Sequence, residues 1–387
     1  MKIMVATDVS IYVCNDRYYA SQVSNSLKRY YENYGRLVIC ARVTQTTKVS
    51  SVLTDVTHMF DKVVAISSLG KAMLGAYNRK IQQAVSECAL VVCRCHGIIA
   101  FRAADAARKC GKPYFSEVVG CAWDAYWNHS LKGKLIAPYM FFKMKKVVKN
   151  ADYALYVTSE FLQKRYPCKN ESVGVSDVLI SDEPTSVLEQ RLEKIKGQDF
   201  KEITLVTTAA VNVRYKGQQY VIRAIPRLNK KGVKIKYVLI GGGDDTYLRS
   251  IAKKCGVEDQ VVFAGRQPLE KVFEIVSQAD IYVQPSLQEG LPRSVVEAMS
   301  KACPVIGART AGIPELIPTE CVVKRKSSKQ IVDTVLVMSN KETLSKYARL
   351  SFEKSKEFLE AALAKKRTSY YKKMQEDLRT KDVVVTI

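Results

Sequence analysis

Residues 281–317 read IYVQPSLQEGLPRSVVEAMSKACPVIGARTAGIPELI. The run from Asp280 to Ser286 is short, rich in β-branched and aromatic residues, and closed near Pro285, which predicts a buried strand. A loop holding Glu289 and Gly290 follows. Pro292, at the first helical turn, opens a helix running to about Lys301, because its fixed φ suits that position and its missing N–H is not needed there. CPVIGA (303–308) then predicts the next strand. Strand, helix and strand in this order make a βαβ unit, which implies a parallel sheet.

The same alternation extends in both directions. KIMVAT (2–7), RLVICARV (36–43), KVVAIS (62–67), ALVVCRC (89–95), KPYFSEVV (112–119) and ADYALYVTS (151–159) are separated by amphipathic stretches. A second series comprises EITLVTTA (202–209), IKYVLIG (235–241), QVVFAG (260–265), DIYVQPS (280–286), CPVIGA (303–308) and ECVVKR (320–325). Two doubly wound α/β domains are expected, 1–185 and 186–345, with a linker near 178–200. Residues 346–387 read as charged helices without a strand, expected to pack back on the N-terminal domain. A ligand cleft between two such domains is the default expectation, because loops at the carboxyl ends of both sheets face it.

Composition limits the function classes. The chain has 387 residues, 61 Lys plus Arg against 38 Asp plus Glu, and a formal charge of +23. With 47% hydrophobic and 26% charged residues it is an ordinary globular protein, neither a basic disordered tail nor a fibre. The positive excess lies on folded surface and attracts phosphates of any origin. Eleven cysteines without a paired framework predict reduced, cytoplasmic thiols. The N-terminus lacks a secretory h-region, and no apolar stretch is long enough to span a bilayer.

Within 281–317, the backbone N–H groups from Gly290 to Ser294, around Leu291, Pro292 and Arg293, have no intrahelical acceptors. They lie at the positive end of the helix dipole and form an anion site suited to a diphosphate. Glu289 and Glu297 flank it, where the plausible use of a carboxylate is to accept hydrogen bonds from sugar hydroxyls. With the turn Ala311-Gly312-Ile313-Pro314-Glu315, this segment resembles the donor site of retaining glycosyltransferases of the GT-B fold, the group 1 (family 4) type, in which seven residues separate two glutamates. The resemblance extends through Asp280, the FAGR turn (Phe263 to Arg266), VLIGGGDD (238–245) and the pair Lys216-Gly217, covering roughly 200–330.

The resemblance implies two Rossmann-like domains facing a central cleft and a nucleotide diphosphate sugar, UDP- or GDP-linked, as donor. Glu297 would hold ribose hydroxyls, Glu289 would contact the transferred sugar, and Lys216 would neutralise the diphosphate. Arg266 and Gln267 would meet the base, and Gly242 belongs to the donor loops. A cation and helix N–H groups stabilise the charge gained by a departing nucleoside diphosphate, so no metal or other cofactor is required. No Asp-x-Asp motif occurs, and Asp244-Asp245 reads as a helix N-cap pair. Ala210 stands where the family often has a second phosphate-binding Arg, leaving Arg214 as substitute. TDVSIYVCNDRYY (7–19) lacks the family's glycine pair, and Val119-Gly120 replaces a His-Gly.

Arg94, His96, Glu117, Trp123 and Asp124 are candidates for the acceptor side. Cys93 and Cys95, spaced as CxC beside His96, argue against a zinc site. Residues 131–149 carry six Lys and no acid among Tyr139, Met140, Phe141 and Phe142, which suits either an anionic membrane surface or a packed helix with a solvated lysine face. The expected partners are the nucleotide sugar, a glycan or lipid-linked acceptor, and peripherally the inner face of the plasma membrane. Alternatives are an epimerase, phosphorylase or sugar-phosphate synthase of the same fold, a donor-binding protein without catalysis, or a basic nucleic-acid-binding protein, for which no recognition module is found.

Overall fold

The computed structural model describes residues 1–21, 24–50 and 53–385. The chain forms two compact units, residues 1–175 with those from Lys366 onward, and Ser176–Lys365.

The first unit is built on nine strands, β1 (Ile3–Cys14), β2 (Arg17–Ala20), β3 (Leu37–Gln45), β4 (Thr54–Asp55), β5 (Phe60–Ile66), β6 (Leu90–Cys95), β7 (Tyr114–Val118), β8 (Tyr153–Tyr156) and β9 (Ser172–Gly174). The parallel part runs β5-β3-β1-β6-β7-β8-β9. The chain starts at β1, winds out to β5 and returns to β6 on the other side, so the order reverses between β1 and β6. Such a switch point leaves a crevice at the carboxyl ends of the two strands.

The expected loop after residue 7 is instead an extension of β1. It turns back at Asn15 and Asp16, φ 47° and 56°, into the antiparallel β2. Two adjacent residues at positive φ are what a tight hairpin turn needs, and Asn and Asp tolerate that region better than other side chains with a Cβ. Against β3, the register of β1 jumps from Thr7↔Ala41 to Ser10↔Arg42, which leaves Asp8 and Val9 as a bulge.

The core of this unit runs from Met4 and Val91 of the sheet to Ile99 and Phe101 of the helix Ile98–Lys109 and to Met140 and Met144 of the helix Leu131–Lys149. Residues after Lys366 close the opposite face. The Tyr371 ring lies 5.8 Å from that of Tyr30 and 6.1 Å from that of Phe115. The Tyr370 hydroxyl donates to the Ala154 carbonyl at 3.1 Å.

The second unit is a six-stranded parallel sheet of β10 (Glu202–Thr208), β11 (Lys234–Ile240), β12 (Val261–Gly265), β13 (Ile281–Gln284), β14 (Val305–Ala308) and β15 (Val322–Val323). Its order is β12-β11-β10-β13-β14-β15, with the reversal between β10 and β13.

Boundaries differ from the expected ones. The stretch near 178–200 contains the helix Thr185–Lys196, whose buried Arg191 donates to the carbonyls of Val276 at 3.0 Å, Lys301 at 3.3 Å and Ala279. The helix Lys341–Ser355 packs on Thr185–Lys196 and on Arg293–Ser300, so residues 346–365 stay with the second unit. Only those from Lys366 onward join the first. A buried guanidinium needs its carbonyl partners, and this ties the helix to the second sheet.

Candidate functional site

In the second unit, the loops after β10 and β13 meet at the switch point. The first forms a short 3-10 turn, Arg214–Lys216, ending at Gly217 with φ 81°. A Cβ there would sit 2.1 Å from the Pro285 carbonyl oxygen, so the two loops touch backbone to backbone and only glycine fits. The Leu287 N–H donates to the Tyr215 carbonyl at 2.7 Å, locking the same contact.

Lys216 is thereby aimed at the β13 loop, where its Nζ lies 2.8 Å from Glu289 Oε1. Gln284, the last residue of β13, donates from Nε2 to the same oxygen at 3.0 Å and to Ser286 Oγ at 2.8 Å. Gln284 Oε1 accepts from the Tyr282 hydroxyl at 2.9 Å and from Ser294 Oγ at 3.2 Å. Burial pushes the Tyr282 phenol well above its ordinary range, so it remains a donor. Thr310 Oγ1 holds the Ser286 carbonyl at 2.7 Å, and the Gly312 N–H donates to the Gly290 carbonyl at 2.9 Å. Turn 311–315 thus braces the Glu289-Gly290 loop.

The helix comprises Arg293–Ser300, with Pro292 as N-cap at ψ 117° rather than inside the first turn. The Arg293 and Ser294 amides begin the helix and have no acceptor four residues back. Glu297 pairs with Arg293 at 2.7 Å on the helix surface. Leu291 is half-buried beside Gly290.

The structure therefore brings Lys216, Glu289, Gly290 and Ser294 into one network around the helix start, with Glu297 one turn further along. Arg214 does not join that ion pair: its guanidinium lies 4.4 Å over the Tyr247 ring. Tyr247 opens the helix Thr246–Cys255, which follows the Gly loop. Gly242 faces Arg266, whose Nε would lie 3.5 Å from a Cβ at that glycine. Gln267 bonds the Ala264 carbonyl. Of the acid pair, Asp244 caps the Thr246 N–H at 3.0 Å, whereas Asp245 pairs with Arg249. Among the described residues no group of three His, Cys, Asp or Glu could hold a metal ion. Gln284, Ser286 and Thr310 were missed in the sequence, although each is a polar residue in an otherwise apolar, buried stretch.

In the first unit, a cavity of about 530 Å³ opens at the β1/β6 switch point. Asp8, Arg94, His96, Tyr126, His129 and Lys132 are among its walls. The β1 bulge turns the Asp8 carboxylate onto the start of the helix Ile98–Lys109, where it accepts the Ile98 and Ile99 N–H groups at 2.7 Å each. Burial nevertheless raises its affinity for a proton. Burial first, and Arg94 second, pull His96 down to about 4, so its ring is neutral near pH 7.

The other candidates lie behind this wall. Glu117 is fully buried, 2.7 Å from Arg94 Nε and 3.7 Å from an Arg29 nitrogen, so it orients Arg94 instead of facing the cavity. Trp123 stacks on Trp127 at 5.0 Å, and Asp124 is buried in the same short helix. Asp8, Tyr126 and Lys132 were not singled out in the sequence. Only the bulge and the helix packing bring them to one cavity.

Residues 190–357 match the family model described as glycosyl transferases group 1. Protein CapJ of Staphylococcus aureus is 33% identical over 267 residues, which is 67% of this chain and 64% of CapJ. The amylovoran biosynthesis glycosyltransferase AmsK of Erwinia amylovora is 29% identical over 157 residues, 39% of this chain and 37% of AmsK. The chain thus spans less than two-thirds of either relative. The structure of Anabaena HepE in complex with UDP superimposes with a TM-score of 0.64 at 14% identity, covering 96% of this chain and all of HepE. The chain has the GT-B fold, with two Rossmann-like α/β units, as its sequence led us to expect.

Proposed function

We propose that this protein is a glycosyltransferase that moves a sugar from a UDP- or GDP-linked donor to a glycan or lipid-linked saccharide, with retention, in the biosynthesis of a cell-surface polysaccharide or glycolipid. The observation that carries this reading is the Lys216–Glu289 pair at the start of the helix Arg293–Ser300, inside the segment that matches glycosyl transferases group 1. Lys216 is linked through Glu289 and Gln284 to Ser294 in the first turn of that helix, whose dipole and leading amides favour an anion.

Lys216 and the amides at Arg293 and Ser294 would hold the diphosphate and stabilise it as it leaves. The C1–O bond to the nucleoside diphosphate breaks, an acceptor hydroxyl forms the new C1–O bond, and the acceptor's proton leaves with the departing phosphate or with water. Glu289 would accept hydrogen bonds from the transferred sugar and Glu297 from the ribose, while Arg266, Gln267 and Gly242 line the base side. Preorganised charge of this kind acts more strongly on the transition state than on the ground state. The acceptor would enter the cavity of the first unit beside Arg94 and His96. A cytoplasmic location, peripheral at the inner face of the plasma membrane, belongs to the same reading and is supported by eleven free thiols and the basic surface.

The test is isothermal titration of UDP and GDP, with and without attached sugars, against the full chain. Saturable binding of one nucleotide series, lost in Lys216→Ala, supports the reading. Absence of binding by every nucleotide would overturn it. NMR of the product anomer separates retention from inversion.

A further inference from the structure

The helix Leu131–Lys149 has two faces of different character. Gly133, Ala137, Met140, Met144, Val147 and Val148 face the core, and Lys132, Gly133 and Ile136 line the 530 Å³ cavity. On the outward side Leu131 is 80% exposed, Leu135 83%, Tyr139 48% and Phe142 65%. At about 100° per residue these four fall within an arc of roughly 80°, one continuous apolar stripe. Trp127, 40% exposed on the preceding short helix, extends it, with Lys134 Nζ 5.8 Å over its ring. Lys132 and Lys134 flank the stripe and Lys145, Lys146 and Lys149 continue it; all five are exposed, and residues 131–149 contain no acid. A folded protein rarely leaves five large apolar side chains in one exposed row unless the row meets something apolar.

We infer that this face docks on an anionic lipid bilayer, with Leu131, Leu135, Tyr139 and Phe142 inserted below the headgroups, Trp127 at the interface, and the lysines on lipid phosphates. The charge decides the occupant: an apolar row whose own helix carries cations and no acid complements a surface that is apolar inside and negative outside. A second copy of the chain would instead set lysine against lysine. No helix among the described residues is long and apolar enough to cross a membrane, so the contact is lateral. Because one helix supplies both this stripe and a wall of the cavity, the cavity opens beside the bilayer and takes an acceptor presented by a lipid. This deepens the proposed transfer reaction and rests on it for the acceptor alone.

The experiment is flotation of the full chain with vesicles of phosphatidylcholine, with and without phosphatidylglycerol. Fluorescence is recorded in parallel, since Trp123 and Trp127 are the chain's two tryptophans. Partition onto the anionic vesicles with a blue shift is expected. The triple variant Leu131→Ser, Leu135→Ser, Phe142→Ser should lose roughly tenfold or more in partition. Lys134→Gln with Lys145→Gln and Lys146→Gln should weaken binding to anionic vesicles only. All these positions are on the surface, and unchanged thermal unfolding confirms that the variants fold. Equal partition of parent and triple variant would overturn the inference, as would no partition by the parent. A dimer of the parent that the triple variant dissociates, without vesicle binding, would assign the face to a second copy and equally overturn it. Nucleotide titration without vesicles is independent of these outcomes and tests the transferase reading by itself.

Discussion

Lys216 Nζ and Glu289 Oε1 lie 2.8 Å apart across the switch point of the second sheet, each carried by a loop that its own strand ends in. The lysine side chain is 24% exposed and the carboxylate 10%, so the pair is partly desolvated and each partner holds the other's charge in place. A diphosphate arriving beside them adds negative charge to a site with one net neutral pair and a helix start. Lys216→Ala should leave Glu289 facing the phosphate and lower nucleotide affinity at least about tenfold to a hundredfold, a loss of roughly 1.4–3 kcal/mol. Glu289→Gln should keep nucleotide affinity within about threefold while kcat falls, because its proposed partner is the sugar. Titration with UDP and GDP, set against turnover with the matching nucleotide sugar, checks both.

Glu297 and Arg293 are four residues apart on one helix, and while Glu297 is only 13% exposed its partner Arg293 is 62% exposed and screened by water. Such a pair contributes little to stability. Glu297→Ala should therefore leave the unfolding midpoint almost unchanged yet weaken UDP or GDP binding by about tenfold, through lost hydrogen bonds to ribose hydroxyls. Arg293→Ala should change affinity far less. Equal losses in the two variants would show that Glu297 acts through its salt bridge.

Gly217 holds φ 81° with the Pro285 carbonyl where a Cβ would be. Gly217→Ala should cost at least about 1–3 kcal/mol of stability and displace Lys216 from Glu289. Denaturant unfolding should show a lower midpoint, accompanied by loss of nucleotide binding.

Glu117 is buried between Arg94 and Arg29. Glu117→Leu removes a buried carboxylate partner from two partly buried cations and should destabilise the first unit by up to roughly 3–5 kcal/mol. Nucleotide binding, which the proposed function assigns to the second unit, should persist at temperatures where the variant remains folded. Urea unfolding followed by tryptophan fluorescence reads the first unit specifically, since Trp123 and Trp127 both lie in it.

His96 titrates at about 4 in the folded chain, against an ordinary 6.5. Between these values the unfolded chain takes up a proton that the folded chain refuses. His96 thus contributes stability that is fully present above pH 6.5 and is lost as pH falls toward 4, by about 1–3 kcal/mol. His96→Gln should flatten that part of the pH–stability curve, with a slope unchanged from the parent counting against burial as the cause.

The alternation of short apolar runs with amphipathic stretches was enough to place the parallel strands, because a strand buried on both faces has to be apolar throughout. Glu289, Glu297 and Lys216 drew notice for a different reason, the resemblance of their segments to a GT-B donor site, and the structure brings Lys216 and Glu289 within 2.8 Å of each other. The hairpin β1-β2 was not legible, since Asn15 and Asp16 become a turn only when strand pairing makes positive φ worthwhile. Nor was the division of the C-terminal helices, which depends on Arg191 finding its carbonyls across 85 residues or more of chain.

The sequence by itself thus determined the fold class and the alternation of strands and helices in two α/β units, local consequences of periodicity and turn chemistry. Tertiary structure alone decided which side chains share a site. Asp8 reaches the first-unit cavity through a bulge, Gln284, held by Tyr282 and Ser294, bonds Glu289, and Leu131, Leu135, Tyr139 and Phe142 remain on the surface because the opposite side of their helix fills the core. A lysine-rich helix with aromatics is compatible in sequence with packing or with exposure. Its buried face is set by the sheet it must cover, and that leaves its outer apolar stripe exposed.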